Sequence, residues 1–145
     1  MKKLYTAQAK SLGGRNGHAE TSDGALKLDL ASPGAPNAKP GTTNPEQLFA
    51  CGYAACFAGA LDYISKKQGV DASKAEINSE VDLNQDDNGF FLSVTIHATL
   101  PGMDKAAAEK LVQATHEFCP YSKATKGNIE VNLIVNDEAL SKKAA

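Results

Sequence analysis

No Cys-x-x-Cys pair occurs in this sequence, and its three cysteines, Cys51, Cys56 and Cys119, are an odd count. A disulfide framework of the kind that staples small secreted domains favours even counts, and a thioredoxin-like oxidoreductase normally carries the missing motif. Metal ligation has little to build on, because His18, His97 and His116 are scattered along the chain. His116 and Cys119 would share a helix face at three-residue spacing, but a tetrahedral site needs two further ligands. Charge of one sign is also missing. Fifteen Lys and Arg against 17 Asp and Glu leave a net charge of −2, which offers no basic footprint for a nucleic acid. The longest apolar stretch, Leu48 to Ile64, is rich in small residues, carries Asp62 and is short for a membrane span. Met1-Lys2-Lys3 starts basic, yet the chain turns polar before a signal-peptide core can form. The expectation is a soluble cytoplasmic protein that engages neither nucleic acid nor membrane. Thiol chemistry is what these exclusions leave.

What is present fits one domain spanning residues 1–145, with an ordinary apolar fraction of 42%. A globular chain of this size buries roughly two-thirds of its unfolded surface, enough to stand without staples. Leu4 to Ala31 alternates loosely as short strands, most clearly at Lys27-Leu28-Asp29-Leu30, with a turn at Gly13-Gly14-Arg15-Asn16-Gly17. Ser32 to Asn44 holds three prolines and two glycines and reads as a surface loop. Asn44 can cap a helix, Pro45 suits its first position, Glu46 complements its positive end, and Gly69 stops it after Gln68. The centre, Ala50 to Ala60, is apolar all round and built from small residues, so it must be covered on every side. Gly52 and Gly59 cost about 1 kcal/mol each relative to alanine, which close approach by another element would offset.

Lys74 to Gln85 and Phe90 to Leu100 read as strands joined by Asp86-Asp87-Asn88-Gly89. Met103 to Phe118 predicts a second helix with Ala107, Leu111, Ala114 and Phe118 near one face, ended by Pro120. A loop from Pro120 to Gly127 precedes a last strand, Ile129 to Val135, and the tail from Asn136 is expected to fray. No internal repeat is evident. The order βββ-α-ββ-α-β predicts an α+β fold, a mostly antiparallel sheet wrapped on two long central helices.

A nucleophilic cysteine acts as a thiolate, whereas a free thiol with a pKa near 8.5 is mostly protonated at neutral pH. Cys56 falls mid-helix among apolar neighbours, where the helix dipole helps little and burial raises the pKa. A cation would have to reach it from outside the helix. Cys119 lies at a helix C-terminus, where partial negative charge disfavours a thiolate. If the pair is reactive, Cys56 attacks and Cys119 resolves. On the residues alone, two small core hydrophobes remain an open alternative.

Longer motifs narrow the choice. Asn44-Pro45-Glu46-Gln47-Leu48-Phe49-Ala50-Cys51-Gly52-Tyr53-Ala54-Ala55-Cys56-Phe57 resembles the central signature of the organic hydroperoxide resistance family. Cys119-Pro120-Tyr121-Ser122-Lys123-Ala124-Thr125-Lys126-Gly127-Asn128 resembles its second cysteine motif, and Gly13 to Gly17 its arginine turn. The three blocks keep the family's order and approximate spacing over essentially the whole chain. The helix signature differs from that of the related osmotically inducible branch. Two departures stand out: Cys51, where alanine is expected, and Lys123 and Lys126 in place of the more frequent Asn and Arg.

The resemblance implies a thiol peroxidase that reduces organic hydroperoxides, with Cys56 as the peroxidatic cysteine and Cys119 as the resolving one. It implies that Arg15 stabilises the thiolate and that Glu46 holds the arginine. It further implies an intertwined homodimer reduced by a dihydrolipoyl group, either dihydrolipoamide or a lipoylated protein. No resident cofactor or metal is required, because sulfur carries both electrons. A redox sensor that oxidises without useful turnover is the competing function.

Glu46 and Cys56 are ten residues apart, about 15 Å along a straight helix and on different faces, so they cannot touch within one chain. Either Arg15 spans the gap within its own chain, or Arg15 and Glu46 reach Cys56 from the partner subunit. The second is expected, because Gly52 and Gly59 leave room for close contact and the helix needs complete cover. Cys51 lies about 140° around the helix from Cys56, which disfavours a disulfide between them and suggests a core filler. Leu48, Phe49 and Phe57 are expected to form an apolar entrance, with Tyr121 and Ser122 at its mouth and His116 structural.

Overall fold

Three short strands open the chain. In the computed structural model, which describes residues 1–36 and 38–140, they are β1 (Ala9–Leu12), β2 (His18–Thr21) and β3 (Lys27–Asp29), paired antiparallel in that order. The chain divides into two units, Met1–Leu48 and the remainder from Phe49. In the first unit, β1 and β2 are joined by a tight 3-10 turn over Gly14–Asn16. Gly13 sits at φ 79°, and a Cβ on Gly17 would lie 1.8 Å from the Leu12 carbonyl oxygen, so the turn is open to glycine alone at that second position. Beyond β3, Leu30 is buried and bridges Thr43 in parallel, which returns the proline-rich loop to the start of the first helix.

That helix, α1 (Pro45–Gln68), has the ends expected of it. Asn44 Oδ1 accepts from the Gln47 N–H at 2.9 Å. At the other end Gly69 takes φ 68°, its N–H bonds to Lys66 O, and the Val70 N–H reaches Ser65 O, which is a Schellman stop. Its burial is one-sided within the chain. Tyr53, Phe57, Ala60, Leu61 and Ile64 form a buried stripe, while Cys51, Ala55, Ala58 and Gly59 are exposed. At 24 residues, with mean hydropathy 1.3 over its most apolar window, α1 is long and apolar enough to cross a membrane, more than the Leu48–Ile64 stretch suggested. The core helix of a globular domain passes the same test, and the stripe of α1 is packed in such a core.

The second unit adds β4 (Glu76–Asp86), β5 (Gly89–Thr99), α2 (Lys105–Phe118), α3 (Pro120–Thr125), β6 (Glu130–Val135) and β7 (Glu138–Ala139). The sheet order is β4-β5-β6-β7. β4 and β5 form a long hairpin in register from Glu76–Thr99 to Asp86–Gly89, with Gly89 at φ 122°. β6 pairs with β5 in parallel, because α2 and α3 form the crossover between them; this is the exception to the antiparallel pattern. Val94, Ile96 and Ala98 alternate onto the buried side of β5. They join Leu133 and Val135 of β6, the α1 stripe, and Ala108, Leu111 and Val112 of α2 in one apolar cluster. Each large aliphatic or aromatic side chain buried there contributes about 1.5–3 kcal/mol.

Three expectations need correction. The buried face of α2 is Ala108, Leu111, Val112 and Thr115: Leu111 is buried as expected and Ala114 packs at the edge of the core, but Ala107 is only half-buried and Phe118 is exposed. Thr115 is polar, but its hydroxyl donates to Leu111 O at 2.8 Å, so it enters the core at no unpaired cost. The segment after Cys119 is a helix, not a loop, because Pro120 both ends α2 and takes the first position of α3. The tail does not fray at Asn136. Asn136 and Asp137, at φ 47° and 66°, make a two-residue turn that returns β7 against β6, and Asn136 Oδ1 accepts from the Leu100 N–H at 2.7 Å. The last five residues of that tail, 141–145, lie outside the described residues.

Candidate active site

Two groups of the expected residues form, one in each unit. In the first unit the tight glycine turn presents Arg15 toward the first turn of α1. The guanidinium grips Glu46 with both arms, Nη1 to Oε2 at 2.9 Å and Nη2 to Oε1 at 2.5 Å. The Arg15 side chain keeps 42% of its exposure and Glu46 only 12%, so the carboxylate is the seated partner and the arginine its outward face. Arg15, foremost through these hydrogen bonds, holds the Glu46 carboxyl below the usual carboxylate range. A fork-to-fork pair fixes the plane as well as the place of the guanidinium, which a lysine could not do.

In the second unit, α1 and the junction of α2 with α3 bring two sulfurs together. Cys119 Sγ lies 3.6 Å from Cys56 Sγ, placed as donor to it. Cys119 is completely buried, whereas Cys56 is partly open. Burial, first among the causes, pushes the Cys56 thiol up, and the backbone N–H of Tyr121 opposes it. Among the described residues of this unit, no cation is a cause of the shift at that thiol.

The surroundings are aromatic and hydroxylic. Phe49, Tyr53 and Tyr121 form a ring cluster with centroids 5.6–6.1 Å apart. Tyr121 leans over Gly52, where a Cβ would stand 2.9 Å from its hydroxyl. Tyr53, fully buried, donates its phenol to Ser122 Oγ at 2.9 Å and lies 3.3 Å from Thr125 Oγ1. Tyr121 is exposed enough to line a mouth, but Ser122 is buried and turned to Tyr53. Phe57 is not an entrance residue; it is fully buried on the core stripe of α1. Cys51 is not a core filler either. It sits about 160° around the helix from Tyr53 and is exposed. The close approach expected at the helix glycines occurs at Gly52, by a side chain, while Gly59 meets nothing of its own chain within 4 Å. His116 Nδ1 is buried without a partner, and burial pushes that imidazole's pKa down. Among the described residues no three His, Cys, Asp or Glu side chains cluster as metal donors.

Tyr53 was not expected to take part, and Ser122, expected at the mouth, is instead the buried partner of its hydroxyl. The signal was faint: a tyrosine at the centre of a small-residue helix needs a partner for its hydroxyl, but nothing local says which.

The α+β fold thus brings two of the chain's three cysteines together between a long helix and a helix–helix junction. A model of the OsmC-like proteins matches residues 37–134. The organic hydroperoxide resistance protein OhrB of Bacillus subtilis is 47% identical over 132 residues, covering 90% of this chain and 96% of that one. The crystal structure of an organic hydroperoxide resistance protein from Legionella pneumophila superposes with TM-score 0.85 at 50% identity, over 92% of this chain and 98% of the other. One from Vibrio cholerae, with captopril bound in one of its active sites, gives TM-score 0.89 at 38% identity, over 97% of each chain. The chain belongs to the OsmC-like family, on its organic hydroperoxide resistance branch.

Proposed function

We propose that this protein is a thiol peroxidase that reduces organic hydroperoxides to alcohols, with Cys56 as nucleophile and Cys119 as resolving thiol. The observation that carries this reading is the 3.6 Å separation of the two sulfurs, one partly open and one buried. The Cys56 thiolate attacks the distal peroxide oxygen, the O–O bond breaks, and the departing alkoxide takes a proton to become the alcohol. Sulfur has then lost two electrons and is a sulfenic acid. Cys119 attacks that sulfur, water leaves, and the Cys56–Cys119 disulfide forms. A dithiol returns two electrons by exchange, and dihydrolipoamide or a lipoylated protein is the proposed donor. Sulfur carries every electron, so the cycle needs no resident metal or cofactor.

The thiolate needs a cation, and the Arg15–Glu46 fork is a cation held in a fixed orientation. The functional unit is an intertwined homodimer in which the fork of one protomer serves Cys56 of its partner. The exposed apolar side of α1, with Cys51, Ala55, Ala58 and Gly59, supports this, since such a face favours cover by a second copy. Phe49 and Tyr121 give the mouth an apolar character that suits an organic hydroperoxide better than hydrogen peroxide. The setting is the cytoplasm, where an external dithiol is at hand.

Turnover of cumene hydroperoxide with dihydrolipoamide tests the proposal. Turnover in the wild type that disappears in Cys56→Ser supports it. One reaction followed by a stall, across several dithiols, would favour the redox sensor, and equal inertness of both proteins would end the peroxidase reading.

A further inference from the structure

Tyr53 is one of the largest fully buried side chains in the chain, and its hydroxyl is spent entirely on α3. Ser122 and Thr125, which it meets, are themselves buried, and Thr125 Oγ1 donates to Ser122 O at 3.1 Å. α3 is only six residues long, too short to hold itself by internal bonds. Cys119 caps its N-terminus, and Pro120 has no N–H, so the first backbone donor of α3 is that of Tyr121. That N–H favours the charged form of Cys56, and Cys119 Sγ lies 3.6 Å from the same sulfur. One short helix thus carries the resolving thiol at its cap and, in its first turn, a backbone donor that faces the attacking one. What anchors it to the middle of α1 is the Tyr53 hydroxyl, three residues before Cys56 and so near it around the helix.

We propose that Tyr53 is a positioning residue for the thiol pair: through Ser122 and Thr125 its hydroxyl holds α3 so that Cys119 Sγ and the Tyr121 N–H both stay on the Cys56 sulfur. This rests on the reading of Cys56 as the attacking thiolate. The consequence is a competition decided by the clamp. A sulfenic acid that meets Cys119 loses water and becomes a disulfide. One that does not attacks a second hydroperoxide as the sulfenate: its sulfur takes the distal oxygen, the O–O bond breaks, the alkoxide leaves and is protonated to the alcohol, and the sulfinic acid remains. The titratable groups facing Cys56 in its own unit are Cys119, from the α2–α3 junction, and Tyr53, from its own helix.

Tyr53→Phe removes the oxygen and keeps the ring. In a Cys51→Ser background, two readouts at Cys56 by peptide mass decide the matter: the pH profile of iodoacetamide alkylation, and the share of sulfinic acid after excess cumene hydroperoxide without reductant. The expected result is alkylation slowed about three- to tenfold at neutral pH, the loss of one hydrogen bond's influence, with the profile moved to higher pH and a larger sulfinic share. Ser122→Ala should do the same, and the double variant should add little, because both break one contact. Tyr53→Phe with the wild-type profile and wild-type partition, or effects of the two variants that multiply, would overturn the proposal. Should Tyr53→Phe not fold, Ser122→Ala carries both readouts. If wild-type Cys56 is not oxidised by the hydroperoxide at all, the peroxidase reading falls, while the alkylation arm still decides the role of Tyr53.

Discussion

Cys119 donates toward Cys56 across 3.6 Å, although the two are separated by 63 residues and only Cys56 is open to solvent. Under the proposed function this asymmetry separates the roles: a peroxide would reach the partly open sulfur first, and the buried one would be met from inside once the first has been oxidised.

Removing the inner sulfur should therefore change the product and spare the first step. Cys119→Ser is expected to react with one equivalent of cumene hydroperoxide as fast as the wild type, then to stop. With excess hydroperoxide it should gain two oxygens at Cys56 where the wild type forms a disulfide. Stopped-flow consumption of hydroperoxide and intact mass check both parts; a slow first step would mean that Cys119 does more than resolve.

The fork between Arg15 and Glu46 should matter by its shape as well as its charge. Arg15→Lys keeps the charge but cannot make two parallel bonds, and Glu46→Gln removes the charge that seats the guanidinium. Each is expected to slow Cys56 oxidation about ten- to hundredfold, the range for losing a hydrogen bond to a charged group of about 1.5–3 kcal/mol. Circular dichroism should stay unchanged. If Arg15→Lys runs at the wild-type rate, point charge suffices and the fork geometry is irrelevant.

Acidity acts on both groups with opposite sign. Arg15 holds the folded Glu46 below its ordinary pKa, so its contribution to stability is present above the usual range near about 4.3 and is lost as pH falls toward the folded value. Glu46→Gln should flatten the loss of stability on that acid side in urea melts. Burial pushes Cys56 up, so the rate of its oxidation should rise with pH, and Arg15→Gln should move that rise to higher pH. An unmoved profile in Arg15→Gln would separate the arginine from the thiolate.

Gly52 is expected to be intolerant of a single methyl group. A Cβ there meets the Tyr121 ring at 2.9–3.4 Å, and that ring is held by Phe49 and Tyr53. Gly52→Ala should lose about 1–3 kcal/mol despite the gain in helix propensity, because overpacking outweighs it. Gly59→Ala, with nothing of its own chain within 4 Å, is the comparison. In thermal melts a drop at Gly52 and a gain at Gly59 would fit a monomer; a drop at both is what the proposed homodimer predicts, because a second copy would then cover Gly59.

Much of this was legible from residues. The start of α1 at Asn44-Pro45 and its stop at Gly69 follow from capping chemistry, and the long hairpin from alternation and its Gly89 turn. The four site residues came from motif resemblance; the structure sets Arg15 against Glu46, and Cys119 Sγ 3.6 Å from Cys56 Sγ. Other features were hidden for definite reasons. The burial of Thr115 depends on a hydroxyl bonding back to its own helix, which a polar-versus-apolar pattern reads as surface. α3 hides behind Pro120, a residue that ends one helix and begins the next. The pairing of Tyr53 with Ser122 spans 69 residues and leaves no periodic trace. Cys51 looked like core because its helix is apolar all round, yet its own chain buries only one side.

The central claim is that one equivalent of hydroperoxide is spent on one particular pair of sulfurs. Reduced protein should be treated with one equivalent of cumene hydroperoxide, remaining thiols blocked, and the digest mapped by mass spectrometry. The account predicts a peptide joined by Cys56–Cys119, with Cys51 recovered blocked and one equivalent of alcohol released. A disulfide that includes Cys51, or three blocked thiols with the hydroperoxide intact, would contradict it.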